Sequence, residues 1–491
     1  MRGIISAAGY IPYHRLSREA IGAAHGGGGG KGTRAVASYD EDTTSMGVEA
    51  ARLALRSLGG VGDHDGAAAI DQLSFSTTSP SYVDKTNATT VHAALRLDRE
   101  IPAFDANGSI RSAAGVLRSA LTGSRTTLVV TADARTGLPN STDEREGGDA
   151  AAALLIGEDE TDGASGGGRV IAEYLGGAST TEEFLDRWRT PGDVRSKQWE
   201  ERFGEMRYVP LGTEAFKLAL DRTALAAEDI AAVIVTGSHA RAVRQVGTKV
   251  AAGTGGLADD LSATVGNAGA AQPALLLTHA LESATPGQVI ALVVLADGCD
   301  VFLFRATDAI TGYQPQRSIA VQAGNGNTGL LYTKFLSWKG LLTVQPPNRP
   351  EPARASSSAV ARNGDWKFGF VGTEDRASGA IHLPPARVSI VGGNTDDMIA
   401  RPMADVAGTI VTFTVDRLAY SPSPPIVFAV VDFDGGGRLP IELTDVDAAD
   451  VEIGGRVEMT FRRLNQSDGI QNYFWKAKPI RQAATTEGNA S

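Results

Sequence analysis

The sequence predicts a layered α/β fold of two similar halves, followed by a small all-β barrel. Three observations carry this reading. Short apolar runs such as 128–133 and 231–236 alternate with helical patterns, the signature of strands and helices packed in layers. The order strand, turn, small-residue helix, strand, glycine-containing loop, strand occurs twice before residue 344, without a visible sequence repeat. Beyond a linker that starts at residue 345 helical periodicity stops, and five short strands fall within about 70 residues, which suits a small closed barrel of the OB type.

Bulk properties bound the function. At 491 residues the chain is long enough for two or three domains. Its 42% hydrophobic and 21% charged content is that of an ordinary soluble globular protein. A net charge of −11 without a long basic run argues against nucleic acid or an anionic membrane as partner. No apolar segment approaches the ~20 residues a membrane-spanning helix needs, and the first residues are too briefly apolar for a signal peptide. A cytoplasmic location is expected. Cys299 is the single cysteine, so an intrachain disulfide and a thiolate zinc site are both excluded.

The elements follow in order. Residues 4–10 read as a strand. His25, five glycines and Lys31-Gly32 invite a phosphate-loop reading, but no Ser or Thr follows Lys31 and no strand directly precedes the glycines; a surface loop is expected. Asp40-Glu41-Asp42-Thr43 is an acidic helix start, continued by Met46, Val48, Ala51, Leu53 and Leu55. A strand at 70–76 leads through a polar loop to a helix at 88–97. Core strands are expected at 128–133 and 147–157, then an irregular, aromatic-rich segment over 178–210. The second half begins with a helix at 213–224 and a strand at 231–236, followed by a loop through His239 and Arg241 and a helix through Val250. Gly266-Asn267 opens an apolar helix to Leu281, and strands at 289–295 and 301–305 flank a loop holding Cys299. The expected boundaries are 1–344 for the layered domain (halves about 1–170 and 171–344), a Pro/Ser/Ala linker at 345–364, a ribbon and barrel at 365–480, and a disordered tail at 481–491.

The functional centre falls at 101–117, where a short strand, a Gly/Ser turn and a small-residue helix succeed one another. Such a turn can present a nucleophile at a helix N-terminus, where the dipole favours a thiolate. A cysteine is expected there, and Ile110 stands in its place.

The ordered cues carry a family resemblance. They are Gly9-Tyr-Ile-Pro12, Asp40-Glu-Asp-Thr43, Tyr82-Val-Asp-Lys85, Gly266-Asn267 and Ala296-Asp-Gly-Cys-Asp300, then Gly379-Ala-Ile-His382-Leu-Pro384-Pro385 and Gly408-Thr-Ile-Val. The first ~340 residues resemble the thiolase superfamily, in its hydroxymethylglutaryl-CoA synthase-like branch, and the rest resembles the OB-fold domain associated with acyl-CoA enzymes. The resemblance implies a duplicated αβαβα fold and condensation of acyl-CoA thioesters by a cysteine, a glutamate and a His/Asn pair. Carried over by motif, the cysteine falls at Ile110, the glutamate near Thr78 and the histidine at Gly237, with His239 two residues on; Asn267 keeps the asparagine. Ser109 and Ser112 flank the nucleophile position, either as substitutes activated by His239 or as turn-capping hydroxyls. Lys85 and Arg111 are open to two readings, contacts with CoA phosphates or solvated surface cations. The companion domain of such proteins begins with a four-cysteine zinc ribbon, whose positions are held here by Asp375, Ser378, Ser389 and Gly392; no zinc is expected. The implied function is a non-catalytic thiolase-fold/OB-fold subunit, a homodimer that assembles with a thiolase-type enzyme and holds CoA thioesters, with no cofactor of its own. The alternative is an acyltransferase, synthase or retro-aldolase component with altered catalytic residues.

Overall fold

Asp42 starts the first long helix. Its side chain accepts from the Ser45 backbone N–H while Ser45 Oγ accepts from the Asp42 N–H, a capping box that satisfies two otherwise unpaired donors of Thr43–Arg56. The computed structural model describes residues 1–58, 70–159 and 169–481. Within them a nine-stranded mixed sheet runs in the order Ile230–Gly237, Val289–Leu295, Gly298–Ala306, Ala172–Thr181, Arg2–Tyr10, Asp149–Glu158, Thr127–Ala134, Gln72–Ser76, Ala103–Asp105.

The two halves of this sheet meet at one short seam. Arg2–Tyr10 and Ala172–Thr181 pair through Gly3↔Glu173 and Ile4↔Ala172. A Cβ on Gly3 would fall 2.0 Å from the Ala172 carbonyl oxygen, so only glycine permits the approach. Helices Ile110–Thr122 and Gln272–Leu281 pack against strands of both halves, so they lie between them. Thr43–Arg56 covers the outer face of the first half, while Glu201–Thr223 and Ala240–Val250 cover that of the second. The result is five layers: helix, sheet, helix, sheet, helix. Small residues at Ala113, Ala114 and Ala120 let the central helix fit there, with Leu117 and Leu121 buried beside them. A buried leucine of this kind contributes about 1.5–3 kcal/mol relative to an exposed one.

The C-terminal strands Gly408–Asp416, Ile426–Phe433, Arg438–Leu443, Ile470–Pro479 and Arg456–Ser467 close into a barrel in that order. The barrel shares one apolar core with the helix Thr43–Arg56, and the Arg52 guanidinium lies 4.6 Å from the ring centre of the buried Trp475. A three-stranded ribbon, Val371–Asp375, Ile381–His382 and Met398–Pro402, precedes the barrel.

Several local expectations are corrected. The segment expected to be irregular from 178 contains the end of strand Ala172–Thr181, and the helix expected at 213–224 starts at Glu201 and runs through Pro210. Proline removes a helical N–H, but burial of Tyr208, Val209, Leu211 and Phe216 against the second half outweighs that cost. Cys299 lies inside strand Gly298–Ala306, paired to Leu295 and Thr180, rather than in a loop. Short helices interrupt the expected linker and follow it: Ser357–Arg362 lies within it, and Gly364–Lys367 runs from its end toward the ribbon. The helix from Ala88 ends at Ala94, and a hairpin of His14–Ser17 and Thr33–Val36 enclosing helix Arg18–Ala24 went unread. All but the first residue of the tail at 481–491 lies outside the described residues.

Candidate functional site

Ile110 is the first residue of the central helix and is 8% exposed. Ser109 occupies the N-cap with an extended backbone, and its side chain makes no capping bond. Ser112 Oγ donates to the Asn107 carbonyl at 3.3 Å. Arg111 reaches across to the second half: Nε lies 3.2 Å from Asp300 Oδ2, and its NH2 nitrogen donates to the Thr180 carbonyl and Thr181 Oγ1 at 3.0 and 2.7 Å. Arg111 thus fastens the helix start to two strands. Lys85 is exposed and donates to the Thr86 carbonyl and Thr89 Oγ1 at 2.9 and 3.1 Å.

Thr78 Oγ1 donates to Asp133 Oδ2 at 2.6 Å and accepts from Arg135 at 3.3 Å. Asp133 is fully buried at the end of strand Thr127–Ala134 and also accepts from the Ser79 hydroxyl and from the Ala270 N–H at 3.0 Å. Its carboxylate therefore joins the Thr78 loop to the turn following Asn267. A Cβ on Gly269, whose φ is +54°, would come within 2.2 Å of Asp133 Oδ2, so glycine is required there. Sequence reasoning missed Asp133. A polar residue ending an apolar strand before a loop was the available signal.

His239 and Asn267 share a cleft of about 300 Å³ with Gly237, Arg135, Asp143, Trp199 and Glu201. His239 caps helix Ala240–Val250: Nδ1 accepts from the Ala242 N–H at 3.1 Å, and Nε2 lies 2.9 Å from the Glu201 carbonyl. Acceptance at Nδ1 and donation at Nε2 define a neutral ring with both nitrogens committed to backbone. Asn267 is similarly engaged, donating to the Gly237 carbonyl at 2.8 Å and accepting from the Gly269 N–H at 2.9 Å. Ile110, Thr78, Ser109, Ser112, Lys85 and Arg111 are not among the residues lining this cleft. Beside His239 lies Asp186, 1% exposed, whose carboxylate oxygens have no hydrogen-bond partner among the described residues. Burial raises its pKa. Nothing local in the sequence marks Asp186, which lies in a stretch without periodicity.

In the ribbon, Asp375 is buried and accepts from the Ser378 hydroxyl, from the Ala377 N–H at 3.2 Å and from Asn394 Nδ2 at 3.1 Å. Hydrogen-bonded side chains thus stand where the resemblance implies thiolates, and the donor set Asp375, Ser378, Ser389 and Gly392 does not fit zinc. No cluster of His, Cys, Asp and Glu suited to a metal occurs among the described residues. None of the helices among them is long and apolar enough to cross a membrane.

Two halves of one sheet around buried helices, with a cleft where the turns of both halves meet, define a thiolase-type fold, joined here in one chain to an OB-fold barrel. The comparisons with known proteins agree with that class. Residues 400–462 match the family described as ChsH2, C-terminal OB-fold domain. The hydroxymethylglutaryl-CoA synthase of Pyrococcus horikoshii is 25% identical over 322 residues, covering 63% of this chain and 87% of the relative. A DUF35 domain-containing scaffold protein of Methanocaldococcus jannaschii is 33% identical over 78 residues, covering 15% of this chain and 55% of that protein. Among solved structures, MvaS in complex with 3-hydroxy-3-methylglutaryl coenzyme A superposes with a TM-score of 0.56 at 18% identity, over 72% of this chain and 94% of that one. The layered part of the chain is therefore similar to hydroxymethylglutaryl-CoA synthases and shares their fold, and the C-terminal barrel is similar to the OB-fold domain of ChsH2 and to the DUF35 scaffold proteins.

Proposed function

We propose that this chain is a non-catalytic subunit of an acyl-CoA condensing or cleaving assembly, holding CoA thioesters for a thiolase-type enzyme. One observation carries the reading. The helix start that would offer a nucleophile carries Ile110, whose side chain cannot accept an acyl group. The committed hydrogen bonds of His239 and Asn267 support it, since neither presents a free proton acceptor to the cleft. The likeness of the barrel to scaffold proteins supports an assembly role.

A second copy of the chain is expected at the edge strand Ala103–Asp105, where Phe104 is 42% exposed and one side of the backbone ladder ends. Asp186 favours a second reading, in which its carboxylate and His239 serve altered acyl-transfer or retro-aldol chemistry.

The test is to incubate the purified chain with acetyl-CoA and acetoacetyl-CoA, then assay again with a thiolase-type partner. The expected result is no acyl adduct by intact mass and no turnover by the chain alone, with activity in the complex unchanged by His239→Ala. Unaided turnover refutes the reading, and loss of activity in the His239→Ala complex establishes the alternative.

A further inference from the structure

A second cavity of about 300 Å³ lies at the junction of the layered domain and the barrel, lined by His14, Tyr39, Trp338, Pro425, Val446 and Asp445 among others. Two buried polar atoms of its lining, Asp445 Oδ1 and Trp338 Nε1, have no hydrogen-bond partner among the described residues. One is an acceptor and the other a donor, and buried groups of either kind are rarely left unpaired. The Asp445 side chain is only 2% exposed. Its Oδ2 is taken by Arg462 at 2.7 Å, while Oδ1 faces His14 Nε2 at 3.9 Å, beyond hydrogen-bond range. Asp445 also has φ +56°, a left-handed backbone found disproportionately at ligand sites.

Charge at the two ends of the cavity is unequal. Asp445 on its floor belongs to a buried cluster in which the carboxyl groups of Asp40, Glu41, Glu442 and Asp445 face the cations Arg462 and Lys476, with His14 3.9 Å from Asp445. At the mouth, Lys334, whose ammonium lies 5.3 Å from the Trp338 ring centre, and Arg417 are exposed and form no ion pair among the described residues, although Asp447 lies nearby. The floor thus favours a neutral hydrogen-bond donor and the mouth an anion. Aromatic and apolar walls between them suit a flat ring.

We propose that this junction cavity binds an adenine nucleotide, whose exocyclic amine donates to Asp445 Oδ1, whose ring nitrogen accepts from Trp338 Nε1–H, and whose phosphate meets Lys334 and Arg417. The nucleotide is either free or the end of a larger coenzyme. The site is distinct from the His239 cleft and does not depend on the role proposed for it.

Calorimetry on the full chain tests this with adenosine monophosphate and inosine monophosphate. The second differs by a carbonyl in place of the amine, which would set an acceptor against Asp445 Oδ1. Binding of adenosine monophosphate is expected, with inosine monophosphate at least about tenfold weaker. The double variant Lys334→Gln/Arg417→Gln, altered only at exposed side chains, should unfold like the wild type and bind at least about tenfold more weakly. Trp338→Phe, which keeps a ring but removes the donor, should also weaken binding. Competition by CoA supports the proposal with the coenzyme as source, and binding insensitive to CoA supports it with a free nucleotide. No binding at millimolar nucleotide, equal affinity for the two nucleotides, or wild-type affinity in the double variant overturns it. None of these readouts involves acyl transfer, so failure here leaves the proposed subunit role standing.

Discussion

Replacing Arg462 by methionine probes how the barrel is held to the layered domain. The guanidinium is 0% exposed and lies 3.3 Å from Asp40, 2.7 Å from Glu41 and 2.7 Å from Asp445, with Tyr10 OH at 3.1 Å. Asp40, Glu41 and Tyr10 belong to the layered domain, whereas Asp445 and Arg462 belong to the barrel. Methionine fills much of the volume but removes the charge, leaving three buried carboxylates with Lys476 as their nearby cation. Breaking a buried pair from one side costs about 3–5 kcal/mol, because the remaining charge stays desolvated. The pH dependence supplies a second test. In the native protein burial raises the Asp40 pKa, but Lys476 and Arg462 outweigh it and hold the group below the usual carboxylate range; burial pushes the Glu41 carboxyl up to about 7. Without Arg462 the Glu41 pKa should rise further above its unfolded value, and the lowering of Asp40 should weaken. The variant then retains stability at low pH, where the Glu41 carboxyl is protonated, and loses it as pH rises through the raised Glu41 value. Urea unfolding at pH 5 and pH 8 is the assay, with a larger deficit expected at pH 8. A deficit below about 1 kcal/mol at pH 8, or one independent of pH, would refute a central role for Arg462 in holding the domains together.

Two further outcomes follow from buried groups. Cys299 is fully buried, and burial, with the neighbouring Asp300 charge, raises its pKa; it should resist a thiol-specific disulfide reagent at pH 8 until the protein is unfolded. Rapid labelling of the native chain would contradict its place inside the sheet. Asp133→Asn keeps the shape of the side chain but turns one acceptor into a donor facing Thr78 Oγ1, Ser79 Oγ or the Ala270 N–H, and a loss of about 1–3 kcal/mol in chemical denaturation is expected. A neutral result would mean that the loop and the Asn267 turn are held together by other contacts.

By itself, the sequence determined the class of each half and much of the order of elements, because hydrophobic period and capping residues act over a few positions. Asp42 marked a helix start that the capping box realises, and Ile110 fell at the helix start where a nucleophile was expected. The five barrel strands and the absence of zinc thiolates were equally local facts. Where tertiary packing opposes local preference, that reasoning fails: the stretch to 210 was expected to be irregular, yet the buried face of Glu201–Thr223 carries a helix through Pro210. Cys299, between Gly298 and Asp300 in sequence, was drawn into a strand by partners on both sides. The polar networks are further still from local pattern. Tyr10 and Arg462 are 452 positions apart, and Thr78 and Asp133 are 55 apart. No periodicity links such residues. A buried charge acquires its partner only when distant segments are brought together and the solvent between them is removed. The His239 cleft, the joining carboxylate of Asp133 and the unpaired Asp445 oxygen at the domain junction were therefore decided by the tertiary structure alone.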